Sequence, residues 1–220
     1  VVNISWSEPT DVDFQYFSLF RNGALVNFVT ENTYSDAPES QNNEASYHIT
    51  ATDIHGNESD PSESITVQLM VNQTVETGTG WNWFSYNVAV EDNSVGSLLE
   101  ALDDNAIFIS SQASGSATYY PEFGVWGGIL ETLEPGQMYL LKMMGDATFT
   151  TTGYPVDLPS APISLVAGWN WIGYLPQYSG DIGTALASLD DNAIFINSQG
   201  SGSATYYPDY GIWAGSLVTL

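Results

Sequence analysis

The chain of 220 residues carries 26 acidic side chains against only Arg21 and Lys142, a formal charge of −24, and contains no cysteine. That balance cannot neutralise phosphates, which argues against nucleic acid, and it opposes an anionic membrane surface. No run of 18 apolar residues exists to span a bilayer, and without disulfides the fold must rest on core burial. The length allows two or three domains, and the negative charge favours solubility and attracts cations. Val1-Val2-Asn3 shows no signal-peptide pattern, so any export signal is expected to have been removed or to lie outside this sequence.

From Val1 to about Leu69 the chain reads as short strands separated by turns. Val2 to Trp6 alternates apolar and polar, and Pro9 and Asp11 end the run. Phe14 to Phe20 predicts a second strand, Arg21-Asn22-Gly23 a hairpin turn, and Ala24 to Val29 the returning strand. Tyr47 to Asp53 places Tyr47, Ile49 and Ala51 on one face; His55-Gly56-Asn57 turns, and Ser64 to Leu69 is a last strand. Such a series predicts a β-sandwich.

These residues resemble a fibronectin type III domain: Trp6 with Pro9, Asp13 and Tyr16 before Arg21-Asn22-Gly23, then Tyr47-x-Ile49-x-Ala51-x-Asp53 and Gly56-Asn57-Glu58-Ser59. The resemblance implies a spacer-like sandwich over residues 1–69, with Trp6 on the family's second strand and the first strand missing. No Arg-Gly-Asp integrin signal is present.

The rest of the chain is duplicated. Gly80-Trp81-Asn82-Trp83 recurs as Gly168-Trp169-Asn170-Trp171, Asp103 to Ile109 recurs as Asp190 to Ile196, and Gly115 to Pro121 as Gly202 to Pro208. The offset is 88 residues at the first landmark and 87 at the others. Each copy is expected to open with a strand buried on both faces, because Trp81 and Trp83 alternate with Phe84 and Tyr86 through an almost wholly apolar run. A single helix should follow, from Val95, Leu98, Leu99 and Leu102 or Ile182, Ala185, Leu186 and Leu189 at helical spacing, with Ser94 or Asp181 as N-cap. Strands are expected at Ala106–Ser110 and Ala193–Asn197, then a Ser/Gly-rich hairpin into Tyr119-Tyr120 or Tyr206-Tyr207, and a further strand from Val125 or Ile212. In the first copy Pro135-Gly136 reads as a type II turn, with strands over Met138–Met143 and Phe149–Thr152 after it. The prolines from Pro155 to Pro162 suit a stiff linker. Leu220 matches Leu133, so residues 134–153 have no counterpart, and the expectation is a window of a longer array.

The unit is similar to the GWNW repeats of large secreted bacterial surface proteins, on Gly80 to Ser85, Trp126 and Leu133 to Tyr139, although the second copy departs at Ile172-Gly173. The resemblance implies export, a long array and adhesion or an appendage. The fold class that follows is mainly β: a fibronectin type III-like sandwich (1–69) and two homologous β-rich repeats with one short helix each (70–155 and 156–220).

Two features carry candidate chemistry. Asp103-Asp104 and Asp190-Asp191 stand at helix C-termini, where the macrodipole disfavours anions; they read either as calcium ligands or as residues capping the turn into the next strand. No DxDxDG spacing accompanies them, and Asp11, Asp13 and Asp53 form a second acidic candidate. The aromatic sets Tyr119, Tyr120, Phe123 and Trp126, and Tyr206, Tyr207, Tyr210 and Trp213, read either as sheet packing or as a platform for sugar rings. One ring of each Tyr-Tyr pair should face inward and one outward.

Catalysis has little support: His48 and His55 lie in the spacer-like region, and neither a Gly-x-Ser-x-Gly elbow nor a phosphate loop occurs. The expected role is therefore a non-catalytic structural or adhesive segment of an extracellular surface protein, with no cofactor unless calcium binds. Its expected partners are neighbouring repeats, copies of the same protein and cell-surface glycans. The alternative is a carbohydrate-binding module attached to a secreted enzyme.

Overall fold

The computed structural model describes residues 1–38 and 44–220, and every side chain among them except that of Asp190. The chain forms two compact units, Val1–Val71 and Asn72–Leu220, and is mainly β as expected.

The first unit contains β1 (Val2–Ser5), β2 (Phe14–Arg21), β3 (Ala24–Val29), β4 (Thr33–Asp36), β5 (Glu44–Asp53) and β6 (Ile65–Gln68). β1 and β4 pair as one sheet; β3, β2, β5 and β6 pair antiparallel, in that order, as another. Alternation sends Leu19, Ala45 and Tyr47 inward, against Val2, Ile4 and Tyr34 of the smaller sheet. The hairpin between β2 and β3 turns on Asn22 and Gly23, both at positive φ (51° and 78°), as an Asn-Gly pair favours. β4 was not legible: Thr33-Tyr34-Ser35-Asp36 has one large apolar residue. Its Asp36 is buried, where one carboxylate oxygen accepts from Arg21 Nη1 and from the Tyr47 hydroxyl, each at 2.7 Å. Burial, then the bond to Asp36, pushes the Tyr47 hydroxyl up to about 12.

The second unit holds both copies. It comprises β7 (Val71–Thr77), β8 (Gly80–Phe84), β9 (Val88–Ala89), α1 (Val95–Leu98), β10 (Ala106–Ser111), β11 (Ser116–Tyr120), β12 (Val125–Gly128), β13 (Tyr139–Met143), β14 (Ala147–Pro155), α2 (Ile182–Ala185), β15 (Phe195–Ser198), β16 (Gly202–Tyr207) and β17 (Ile212–Gly215). Three sheets form, in the orders β12-β11-β10-β13-β8, β7-β14-β9 and β15-β16-β17. In the first copy β13 lies between β10 and β8, and its Tyr139, Leu141 and Met143 are buried with Phe84, Tyr86 and Ile109. Gly136 has φ 81°, as a type II turn requires.

Three sequence expectations are corrected. The predicted single helix is one α-helical turn followed by a 3₁₀ segment, Glu100–Asn105 or Ala187–Asn192, broken at Leu99 or Leu186. Eight residues are too few to sustain a helix without tertiary support, yet Val95, Leu98, Leu99 and Leu102 are all buried, so the apolar stripe still forms. The caps stand where expected: Ser94 Oγ accepts from Ser97 N–H and Asp181 Oδ1 from Thr184 N–H, at 3.3 and 3.0 Å. Second, β8 is buried on one face only. Phe84 is in the core, while Trp81 and Trp83 are about half exposed. Third, Gly168–Ile172 is not a strand of the second copy; only an isolated bridge pairs Ile172, with Gln137 of the first copy. Among the described residues, no helix is long and apolar enough to cross a membrane.

Candidate functional site

The repeated Gly-Trp-Asn-Trp motif is a local clasp. Asn82 Nδ2 donates to the carbonyls of Gly78 and Gly80 at 2.7 and 3.3 Å, and its Oδ1 accepts from Gly78 N–H at 2.9 Å. Asn170 repeats the clasp on Val166 and Gly168, at 2.8 and 3.1 Å to the carbonyls and 2.9 Å from Val166 N–H. Gly80 and Gly168 take φ of 97° and 100°, a region that a side chain would strain. The glycine thus permits the turn and the asparagine holds it, which sets the flanking tryptophans.

The clasped segments are read across the seam between the copies. Gln112 Nε2 donates to Trp169 O at 2.5 Å and its Oε1 accepts from Trp171 N–H at 2.7 Å. Gln199, the same position in the second copy, donates to Trp81 O at 2.7 Å and accepts from Trp83 N–H at 2.5 Å. Each glutamine fills the main-chain bonds of the other copy's motif, so the contact is reciprocal and closes the two copies into a pair. Gly173 N–H donating to Gly136 O and Gln177 Nε2 donating to Asn87 O, at 2.9 and 2.6 Å, extend the seam. A groove along it is lined by Gln112, Gln137, Met138, Asn170 and Trp171 among others, and among the described residues its walls carry no charged or histidine side chain.

The aromatic sets lie on two matching hairpins. β11 runs into β12, and β16 into β17, through Pro121-Glu122-Phe123-Gly124 and Pro208-Asp209-Tyr210-Gly211. Phe123 N–H donates to Tyr120 O and Tyr210 N–H to Tyr207 O, both at 3.1 Å, and Gly124 and Gly211 share a φ of 63°. Tyr119 pairs with Trp126 across the strands, and Tyr206 with Trp213, at ring separations of 5.5 and 5.3 Å. Tyr119 and Tyr206 are partly buried, whereas Tyr120 is 46 % and Phe123 77 % exposed, matched by 47 % at Tyr207 and 78 % at Tyr210. One ring of each tyrosine pair packs and the other projects, and Val125 or Ile212 extends each projecting face.

The aspartate pairs lie in the two matching 3₁₀ segments. Asp103 has φ 44° and ψ −141°, costly for a residue with a side chain, and it kinks the 3₁₀ segment Glu100–Asn105, while its carbonyl accepts from Ala106 N–H. Asp104 faces Tyr119, whose hydroxyl is held above the usual tyrosine range by desolvation first and then by Asp104. Asp103, Asp104 and Asp191 are exposed; the side chain of Asp190 is outside the described residues. Among the described residues the one cluster of three metal-ligating side chains is Asp13, Asp53 and His55, within 4.8 Å of one another; Asp11 does not join it. Both Asp53 oxygens already serve the loop, accepting from His55 N–H, Asn57 N–H and Asn57 Nδ2 at 2.7 to 2.8 Å. These bonds, Asn57's first, hold the Asp53 carboxyl below its ordinary range.

Sequence reasoning missed Gln112 and Gln199. Their signal was the repeated Ser-Gln at Ser111-Gln112 and Ser198-Gln199, in a loop that the two copies share except at Ala113 and Gly200. No protein-family model matches this chain, and no curated protein or solved structure matches it either.

Proposed function

We propose that the chain is a non-catalytic structural and adhesive segment of an extracellular surface protein, with the two hairpin tips as its contact surfaces. The observation that carries this reading is the matched pair of projecting faces, Tyr120 with Phe123 and Tyr207 with Tyr210, on copies clamped together by Gln112 and Gln199. Large apolar side chains exposed at equivalent positions of a duplicated unit favour contact with a partner, and two linked surfaces gain avidity when both engage. On this reading the first unit is a spacer of fibronectin type III kind, and the copies are GWNW-type repeats of a secreted bacterial surface protein. Deleting the second unit should reduce attachment of cells that display the protein. Undiminished attachment would overturn the role.

The openness of the same rings also supports the second reading, a carbohydrate-binding module beside a secreted enzyme. A glycan array separates the two. Saturable binding to one sugar class, abolished by Tyr120→Ala with Tyr207→Ala in a folded chain, assigns the tips to sugar; binding to protein-coated but not glycan-coated surfaces assigns them to protein contact.

A further inference from the structure

The outer face of the five-stranded sheet is aromatic where a solvated face is usually polar. All five strands belong to the first copy. Alternation sends Phe84, Leu141, Ile109 and Ala117 into the core, so their neighbours along each strand point out. The register lines these neighbours up in rows. Trp81 on β8 stands opposite Lys142 on β13, Lys142 opposite Phe108 on β10, and Phe108 opposite Thr118 on β11. The next row is Trp83, Leu140, Ser110 and Ser116. Trp81 is 49 % and Trp83 40 % exposed, and the other six are partly buried. Trp81 meets Phe108 edge-on at 5.9 Å, and the Lys142 ammonium lies over the Trp81 ring, 5.4 Å from its centroid.

The charge on this face is opposite to that of the chain. There are 26 acidic side chains and two basic ones. Arg21 is tied to Asp36 at 2.7 Å, whereas among the described residues no carboxylate lies within ion-pair distance of Lys142. A chain with carboxylates to spare thus keeps this ammonium on an indole ring, where its charge complements an anion brought from outside. The net charge of −24 bounds the kind of anion. It repels a densely charged polyanion. A single carboxylate at the ammonium feels mainly that ammonium, because charges beyond a Debye length of about 8 Å are screened. The form of the face narrows the occupant further. Flat indoles offer apolar area, and Ser110, Ser116 and Thr118 set hydroxyls beside them. A sugar ring, with an apolar face and a hydroxyl rim, matches both. An extended peptide would add to a free sheet edge, and at β8 the main-chain groups of Trp81 and Trp83 are already taken by Gln199.

We propose that this face binds a carboxylate-bearing sugar of an otherwise neutral glycan, with the sugar ring stacked on Trp83 and the carboxylate on the Lys142 ammonium. Lys142 is the diagonal neighbour of Trp83 across the β8–β13 pair. Diagonal neighbours stand roughly 7–8 Å apart, a span that one sugar ring with a carboxylate at its rim covers. Trp81 is a positioning residue, since its ring holds the ammonium in place. The site goes beyond the adhesive reading and does not depend on what the hairpin tips contact. Tyr120 shares the face but stands on β11, three strands or about 14 Å from β8.

Methyl glucuronide and its neutral counterpart methyl glucoside test it, each titrated into the intact chain at low salt and followed by the indole N–H and amide NMR signals. The expected result is saturable binding of the glucuronide, with shifts at the Trp81 and Trp83 indoles and along residues 139–143. The glucoside should bind roughly two- to fivefold more weakly, the difference that one exposed ion pair supplies. Lys142→Met keeps the apolar stem and removes the charge, so it should erase that preference while the amide spectrum stays folded. Added salt should narrow the preference in the unsubstituted chain. Trp83→Ala should abolish binding of both sugars. No saturable binding at tens of millimolar glucuronide, equal binding of the two sugars, or a preference that survives Lys142→Met would overturn the proposal. Shifts confined to residues 120–125 and 207–212 would overturn it as well and return the sugar to the hairpin tips. An acidic peptide that moves the Trp81 and Trp83 indoles where the glucuronide does not would assign the face to protein.

Discussion

The two copies share most of their sequence yet are packed unequally, and the difference isolates what one strand contributes. Residues 106–109 and 193–196 have the identical sequence Ala-Ile-Phe-Ile. In the first copy they lie between β11 and β13 with Ala106 and Ile109 closed off from solvent; in the second they have β16 alone. Identical residues therefore bury different areas, and hydrophobic stabilisation scales with the area removed from water, about 25 cal/mol per Å². Burial here is decided by the neighbour, not by the side chain. The seam shows the opposite behaviour: Gln112 and Gln199 make the same two bonds in both directions, because each reads main chain that the Asn clasp shapes identically.

Matched substitutions can break this comparison. Ile109→Ala should destabilise its copy by about 2–5 kcal/mol, as large-to-small changes in closed cores do, whereas Ile196→Ala should cost less than half as much. Residue-level hydrogen exchange under mild denaturant reads the two separately. Equal costs would mean that burial beneath β13 is not the source of the asymmetry. A second matched pair is Tyr86 and Tyr174. The Tyr86 hydroxyl is buried and donates to Leu133 O, so Tyr86→Phe orphans that carbonyl and should cost about 1–3 kcal/mol; Tyr174→Phe should stay within about 0.5 kcal/mol. Desolvation raises the Tyr86 and Tyr139 hydroxyls above their ordinary value. They therefore stay protonated in the folded chain while the unfolded chain releases protons above about pH 10. Stability of the first copy should be undiminished below that pH and fall as pH rises beyond it. Tyr86→Phe should shallow that fall in an alkaline denaturation series.

The seam predicts symmetry where the cores predict asymmetry. Gln112→Ala and Gln199→Ala each remove two hydrogen bonds, worth roughly 0.5–1.5 kcal/mol apiece net. Each variant should lose about 1–3 kcal/mol, and the two losses should agree closely. Urea melts of the paired copies measure both. A cost confined to Gln112 would show that the second clasp does not hold the pair.

What was legible in the sequence follows the same division between local and long-range causes. Strands with clean alternation, such as Tyr47–Asp53 within β5, and turns with glycine at a positive-φ position, such as Asn22-Gly23, were read correctly because their causes are local. The caps Ser94 and Asp181 were legible for the same reason. β4 and β9 escaped, since Thr33–Asp36 and Val88–Ala89 carry too few residues to show a period and are strands only through their partners. The expectation of two buried faces on β8 failed because composition cannot say which apolar face finds a cover. Of the candidate site, the aromatic positions and their inward-outward division were legible. The glutamines were not, because a polar residue in a Ser-rich loop declares no partner until the other copy is folded against it.

The smallest expected effect on stability carries the largest consequence for function. Phe123 and Tyr210 project from equivalent turns with little packed against them. Phe123→Ala and Tyr210→Ala should therefore each change stability by no more than about 0.5 kcal/mol, as exposed substitutions away from special features do. If the tips act together, each single substitution should weaken surface attachment only in part, and the double substitution should weaken it by far more than the product of the two. A second tethered contact adds avidity only while both ends can engage. Attachment measured by surface plasmon resonance on cells or coated beads, at low and high ligand density, distinguishes the cases. Loss confined to the Phe123 variant would mean that one tip binds and the other is a relic of duplication. Equal partial losses that vanish at low ligand density would mean that both tips bind, and that the clamp of Gln112 and Gln199 sets the spacing at which they reach their targets.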